Sequence, residues 1–232
     1  MISGRGTAGE AIDAVAAPAA SAFWHEVGRQ LRHPTGLGGR LVGLLMALVN
    51  RKPNRIAIDA LRPARGDRIL ELGFGPGRAI RRLAMLAPDG EICGIDQSAE
   101  MLALASRHNR ASIRLGQVTL AQGQFAALPF ASASFDKILA VNVAYFFGHD
   151  GAELREARRV LRPGGRLVLY VSDRASMTRW AFAQCATHRT FSVDEFVTMS
   201  RYGGFATNEI SFVPVVLPFG IGGFVATLRK GN

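Results

Sequence analysis

Ile69-Leu70-Glu71-Leu72-Gly73-Phe74-Gly75-Pro76-Gly77 runs a buried aliphatic strand directly into a glycine-rich turn that opens a helix. Glycine lets the backbone turn sharply and approach a ligand closely, and the unpaired N–H groups at a helix start attract negative charge. The stretch therefore predicts a strand–loop–helix unit with a nucleotide-type ligand over the turn. A dinucleotide fingerprint, G-x-G-x-x-G, would need glycine where Arg78 stands, which disfavours NAD. The next strand ends at Gly94-Ile95-Asp96. A carboxylate at that spacing is suited to accept hydrogen bonds from the two hydroxyls of an adenosine ribose.

Outward from this turn, short β-branched runs alternate with helical stretches from Asp67 onward, the pattern of a parallel sheet with crossover helices. Strands are expected at Arg68 to Leu72, Glu91 to Ile95, Arg114 to Leu120, Phe135 to Asn142 and Arg166 to Ser172. Helices are expected near Gly77 to Leu86, Ala99 to His108 and Gly151 to Leu161, the last stopped by the turn Arg162-Pro163-Gly164-Gly165. Ser192 and Glu195 form a capping box that opens a helix to about Arg201, closed by Gly203-Gly204. Thr207 to Val213 and Phe224 to Leu228, separated by a Pro/Gly-rich loop, read as a closing β-hairpin. No internal repeat and no second domain boundary is visible after residue 66.

The 232 residues are 48% hydrophobic and 20% charged, which fits a folded chain and excludes an unfolded, charge-rich one. Two cysteines, Cys93 and Cys185, are too few for a disulfide framework or a structural zinc site, and a reducing cytoplasm fits them. The net charge of +10 raises the question of nucleic acid or an anionic membrane. Nine basic and four acidic residues precede Asp67, so the excess is denser at the N-terminal end. Groups such as Arg51, Lys52, Arg55 and Arg155, Arg158, Arg159, Arg162 read as solvated faces before they read as binding patches.

Residues 1–20, rich in Ala and Gly, read as a flexible tail, with Glu10 and Asp13 interrupting any secretory apolar run. Leu41 to Val49 is continuously apolar or Gly, yet at ~1.5 Å per residue it covers less than half of a roughly 30 Å hydrocarbon core. Flanked by Arg40, Arg51, Lys52 and Arg55, this helix either packs on the main domain or lies in a membrane interface, with packing favoured.

Glu71-x-Gly73-x-Gly75-x-Gly77 with Asp96-Gln97-Ser98-x-x-Met101-Leu102 resembles the class I S-adenosylmethionine-dependent methyltransferases. The likeness is to the broad type 11 group that includes the ubiquinone/menaquinone C-methyltransferases. It continues through Leu128-Pro129-Phe130, Ser134-Phe135-Asp136-Lys137-Ile138 and Val160-Leu161-Arg162-Pro163-Gly164-Gly165-Arg166-Leu167. The resemblance covers roughly residues 54 to 230. It implies an α/β, Rossmann-like fold: a seven-stranded, mostly parallel sheet with an antiparallel last strand, helices on both faces and an N-terminal helical lid. The implied boundaries are 21–62 for the lid and 63–232 for the methyltransferase domain.

The implied cofactor is S-adenosyl-L-methionine. Glu71, Gly73, Gly75 and Gly77 would carry its methionine part, and Asp96, followed by Gln97, would hold the ribose. Met101 is either core or a neighbour of the adenine. Gln124 and Phe125 stand where the family often has a Gly-Asp pair at the adenine edge, and an amide oxygen can accept the N6 hydrogen.

Methyl transfer from a sulfonium is an in-line displacement, so the protein mainly positions the acceptor and excludes water. The strand Phe135 to Asn142 should end beside the sulfonium, with Asn142 on the cofactor and Tyr145, Phe146 and His149 at the pocket mouth. Tyr145 and His149 are the candidate catalytic groups, and Trp24, His25, Tyr145 and Phe146 the candidate substrate contacts. Asn142-Val143-Ala144-Tyr145 lacks the prolines of adenine N6 methyltransferases, and neither cysteine stands there to attack cytosine C5, so nucleobase substrates drop. Asn142 with Asp173 is a poor set for a hard cation, and no metal is expected. The favoured expectation is a cytoplasmic enzyme with a small-molecule acceptor and no nucleic-acid partner. The alternatives are a lipid methyltransferase docked through the basic N-terminal helix and a non-catalytic cofactor-binding module.

Overall fold

The computed structural model describes residues 50–177 and 190–231. The tail, most of the 21–62 lid, Trp24, His25, the Leu41 to Val49 segment and Cys185 lie outside the described residues. Helix α1 (Arg51–Leu61) buries Pro53, Ala57, Ile58 and Leu61 and leaves Arg51, Lys52, Arg55 and Asp59 exposed. Arg62, left-handed at φ 52°, ends it. There follow β1 (Arg68–Leu72), α2 (Arg78–Leu86), β2 (Glu91–Asp96), α3 (Ala99–His108), a single turn α4 (Arg110–Arg114) and β3 (Val118–Gln122). The chain then crosses back to β4 (Phe135–Val141) and continues through α5 (Ala152–Val160), β5 (Leu161–Ser172) and the short α6 (Arg174–Met177). Helix α7 (Val193–Tyr202) precedes the hairpin of β6 (Ile210–Leu217) and β7 (Ile221–Arg229).

The seven strands lie in the order β3-β2-β1-β4-β5-β7-β6. β1 to β5 pair in parallel, and β7 runs antiparallel to both β5 and β6. This is the expected Rossmann-like sheet with helices on both faces. From β1 the chain winds outward through β2 and β3, then returns to β4 on β1's other side. That reversal opens a crevice at the carboxyl ends of β1 and β4, where α/β sheets take ligands.

Alternation along each strand divides the core. Ile69, Ile92, Leu139 and Val168 face Ile58, Leu61, Ile80, Leu83 and Ala105 of α1, α2 and α3. Leu70, Ile138, Leu167 and Leu169 face Leu154, Ala157, Val160, Phe196 and Met199 of α5 and α7. Each fully buried Leu, Ile or Phe contributes roughly 1.5–3 kcal/mol.

Three boundaries differ from the sequence expectation. The strand expected at Arg114 to Leu120 begins only at Val118, because the chain makes another helical turn after Asn109 and Gly116, at φ 74°, is needed to leave it. The Arg162-Pro163-Gly164-Gly165 turn is not a break before β5 but an irregularity inside it. Gly164 at φ 72° donates its N–H to Lys230 O, and the register with β4 shifts there. The hairpin is longer than expected, closed by a single 3₁₀ turn at Pro218–Gly220, and Thr207–Glu209 is 3₁₀ rather than strand. Pro214 is tolerated within β6 because that strand is the sheet edge.

Candidate functional site

The turn after β1 carries Gly73, Gly75 and Gly77 at φ 69°, 52° and 79°. A Cβ on Gly77 would lie 2.7 Å from Ala105 Cβ, so this glycine packs the start of α2 against α3. A Cβ on Gly75 would meet nothing within 4 Å, so its face of the turn is open to an approaching ligand.

Two carboxylates flank the turn. Asp96, at the end of β2, accepts the Gly75 N–H at 2.8 Å on Oδ2 and the Ser98 N–H at 2.9 Å on Oδ1. It thereby ties the glycine turn to the start of α3, where Ser98 Oγ caps the Met101 amide at 3.3 Å. Glu71 is 3% exposed and its Oε2 has no hydrogen-bond partner. Burial, reinforced by the Asp96 charge, holds its carboxyl well above the usual carboxylate range. A buried acid with an orphaned oxygen beside an open glycine face is the chemistry expected where a cationic or hydrogen-bond-donating group is to be received.

Gln124, expected at the adenine edge, joins a chain of amides. Gln97 Nε2 donates to Gln124 Oε1 at 3.1 Å, and Gln122 Nε2 donates to Gln97 O at 3.0 Å. Gln124 is exposed, whereas Phe125 is 3% exposed and packs edge-on to Phe147 at 6.1 Å between centroids. Met101, also 3% exposed, belongs to the core beneath α1, α2 and α3.

At the end of β4 Asn142 is left-handed, at φ 54°, with its amide donating to Tyr170 O at 2.9 Å. Its Nδ2 donates to Asn50 Oδ1 at 2.7 Å, and its Oδ1 accepts from the Tyr145 hydroxyl at 2.9 Å. The same hydroxyl accepts the Ser172 N–H at 2.6 Å. Tyr145 therefore does not stand at the pocket mouth as expected. It is 7% exposed, its polar atom is engaged on two sides, and burial pushes its phenol far above the ordinary range.

Phe146 is half-buried and edge-on to Tyr145 at 6.4 Å. His149 is exposed and lines a cleft of about 210 Å³ with Asp194, Glu195, Thr198, Met199 and Tyr202 of α7. None of the glycine-turn residues lines that cleft.

The structure thus brings Glu71, the three glycines and Asp96 together, sets Asn142 and Tyr145 at the neighbouring strand end, and directs His149 elsewhere. Sequence reasoning missed Asn50, Ser172 and Tyr170, whose fully buried hydroxyl has no hydrogen-bond partner. A tyrosine inside the aliphatic run Leu167-Val168-Leu169-Tyr170-Val171 was the available signal. Among the described residues no helix is long and apolar enough to cross a membrane, and no group of three His, Cys, Asp or Glu side chains gathers.

Comparison with known proteins agrees with this geometry. A family model described as a methyltransferase domain matches residues 69–165. The methyltransferase YdaC of Bacillus subtilis is 32% identical over 134 residues, 58% of this chain and 72% of that one. The ubiquinone/menaquinone biosynthesis C-methyltransferase UbiE of Geotalea daltonii is 32% identical over 123 residues, 52% of each chain. The chain spans about half the length, or less, of several other relatives it matches. In fold it is similar to geranyl diphosphate methyltransferase bound to GPP and sinefungin, with a TM-score of 0.63, 15% identity and 77% of each chain covered.

Proposed function

Because this chain belongs to the class I S-adenosylmethionine-dependent methyltransferases, we propose that it methylates a small-molecule acceptor received between the glycine turn and the N-terminal segment. The observation that carries the proposal is the pair of buried carboxylates, Glu71 and Asp96, on either side of a glycine turn whose central residue faces open space. The sulfonium of S-adenosylmethionine supplies an activated methyl group and leaves as a neutral thioether.

Asp96 would accept from the ribose hydroxyls without surrendering its hold on the Gly75 and Ser98 amides, since each carboxylate oxygen has more than one lone pair. Glu71 would face the methionine end, its unpartnered Oε2 accepting from the ammonium group. The open face of Gly75 would admit the cofactor against the backbone. Gln97 and Gln124 would border the adenine with their linked amides. Asn142, fixed by Tyr145 and Asn50, would form the wall at the reacting end, with Phe146 beside it.

With its hydroxyl spent on Asn142 and Ser172, Tyr145 contributes position rather than proton transfer. The acceptor's proton would then leave to solvent as the new bond to carbon forms. The lid proposed for residues 21–62 is supported by the Asn50–Asn142 hydrogen bond, which brings residue 50 of that segment to the site just before α1 begins. The small-molecule class is supported by the relative named for quinone biosynthesis.

The test is calorimetry with S-adenosylmethionine and S-adenosylhomocysteine, then mass spectrometry of a panel of quinone precursors, phenols and amines incubated with the protein. The expected result is micromolar cofactor binding and one acceptor heavier by a methyl group. Absence of cofactor binding would remove the proposal.

A further inference from the structure

The amino ends of the strands form the rim opposite the glycine turn, and their charges are unevenly matched. Lys137 of β4 is the register partner of Arg166 of β5, and Arg166 is the partner of Arg229 of β7. Partners on adjacent strands project from the same face, so three cations stand side by side on the face that α1 covers. Like charges directly opposite repel.

Part of this row is accounted for locally. Lys137 Nζ pairs with Asp67 and also donates to Arg62 O at 2.5 Å. Arg166 Nη1 donates to Ala60 O at 2.8 Å, among the carbonyls at the C-terminal end of α1, where the helix dipole is negative. Arg62 follows one residue beyond that end, left-handed and exposed.

The nearby carboxylates are already engaged. Asp67 holds Lys137, Asp89 holds Arg65 at 3.0 Å, Glu91 holds Arg68 at 2.9 Å and Asp136 holds Arg162 at 2.5 Å. Asp59 lies 3.9 Å from Arg55 and 3.8 Å from Arg82. Glu209 lies 3.6 Å from Arg158 and accepts from the amides of Ala206 and Gly231. Among the described residues Arg62, Arg166 and Arg229 have no carboxylate partner. Burial and the charges of Arg229 and Arg62 lower the pKa of Arg166 from its ordinary value, the sign of a cation held without a counter-ion.

We propose that Arg62, Arg166 and Arg229 form an anion site for a phosphoryl group, with Arg166 in register with Ile69 and so about 13 Å along the strands from the start of the cofactor turn and two strands across. Guanidinium forks match phosphoryl oxygens in pairs, and three of them around one group would also relieve the cross-strand repulsion. The phosphoryl group belongs either to a free polyphosphate compound or to an anionic lipid headgroup.

The test uses the full chain. Inorganic tripolyphosphate is titrated by calorimetry at low salt, and phosphatidylcholine vesicles with and without phosphatidylserine are co-sedimented with the protein. Tripolyphosphate binding assigns a free compound, and binding only to phosphatidylserine vesicles assigns the headgroup. In either case affinity should fall with salt, and the double substitution Arg62→Gln with Arg229→Gln should weaken it by about tenfold or more while leaving S-adenosylhomocysteine affinity and melting temperature unchanged. Arg81→Gln, at an exposed position on α2, serves as the control for net charge. Binding of neither probe, an unaffected double variant, or an equal loss in Arg81→Gln would overturn the proposal.

Discussion

The hydroxyl of Tyr145 donates to Asn142 Oδ1 at 2.9 Å, tying down the left-handed residue that directly follows β4. Because the hydroxyl also accepts the Ser172 amide, one side chain locks the carboxyl ends of β4 and β5 together beside the crevice.

Tyr145→Phe should therefore cost about 1–3 kcal/mol of stability, since a buried amide and a buried carbonyl oxygen each lose a partner. Urea unfolding with an unchanged m-value would measure it. The phenol's raised pKa means the folded state keeps its proton longer than the unfolded chain does. Its contribution to stability is fully present below about pH 10 and is lost as the pH rises further, a slope the Phe variant should lack. Turnover should fall by up to about tenfold without a new inflection near neutral pH, and an altered neutral-pH profile would instead assign the phenol to proton transfer.

Asp96→Ala should weaken S-adenosylhomocysteine by about 1.5–3 kcal/mol, the worth of hydrogen bonds to a charged group. Part of that loss is indirect, because the Gly75 and Ser98 amides lose their shared acceptor. Calorimetry on Asp96→Asn separates the two, as the amide keeps an oxygen for the backbone but surrenders the charge. Unchanged affinity in the alanine variant would exclude Asp96 from the ribose.

Glu71→Gln should stabilise the free protein at neutral pH and weaken cofactor binding. The raised pKa of the buried acid means that its penalty appears above the unfolded value of about 4.3, where the unfolded chain ionises more readily than the folded one. The stability gain should shrink as the pH is lowered toward that value. Thermal unfolding at pH 4 and pH 7, with and without S-adenosylhomocysteine, reads both effects.

Gly75→Ala and Gly77→Ala should part company. Each places a Cβ on a left-handed residue at a cost of about 1–2 kcal/mol. Only Gly77→Ala adds a collision with Ala105, so it should unfold at lower urea, whereas Gly75→Ala should fold and lose cofactor affinity. Circular dichroism paired with calorimetry distinguishes them.

His149→Ala should leave turnover within about threefold of the parent, because the imidazole faces α7 rather than the glycine turn. A loss of a thousandfold, measured in single turnovers, would return it to the reaction.

What the sequence made legible was local. Helix α3 runs over Ala99–His108 as expected because Ser98 caps it, and the glycine turn is read from residues adjacent in the chain. The capping box at Ser192 and Glu195 is likewise present. Tyr145 was placed at the wrong depth because its environment is set by Ser172, 27 residues away, and by Asn50 through Asn142. Pairings of that range leave no periodic trace. Val118 starts β3 late because one more helical turn after Asn109 takes up Arg114, and Leu115 to Gln117 turn the chain out of it. The cofactor turn was thus readable in advance, while the wall beside it depends on strands meeting in space.

β7 is made after β6 yet lies between it and β5. Until β7 docks, β6 therefore has no strand to pair with, and Val213 and Val216, 61% and 75% exposed even in the finished fold, are presented to whatever else is nearby. Closure must wait for Ile221–Arg229 to be inserted between two waiting neighbours. A chain cut before Ile221 should accordingly be the one that engages chaperones, and docking of the strand should mark the moment at which the sheet becomes protease-resistant.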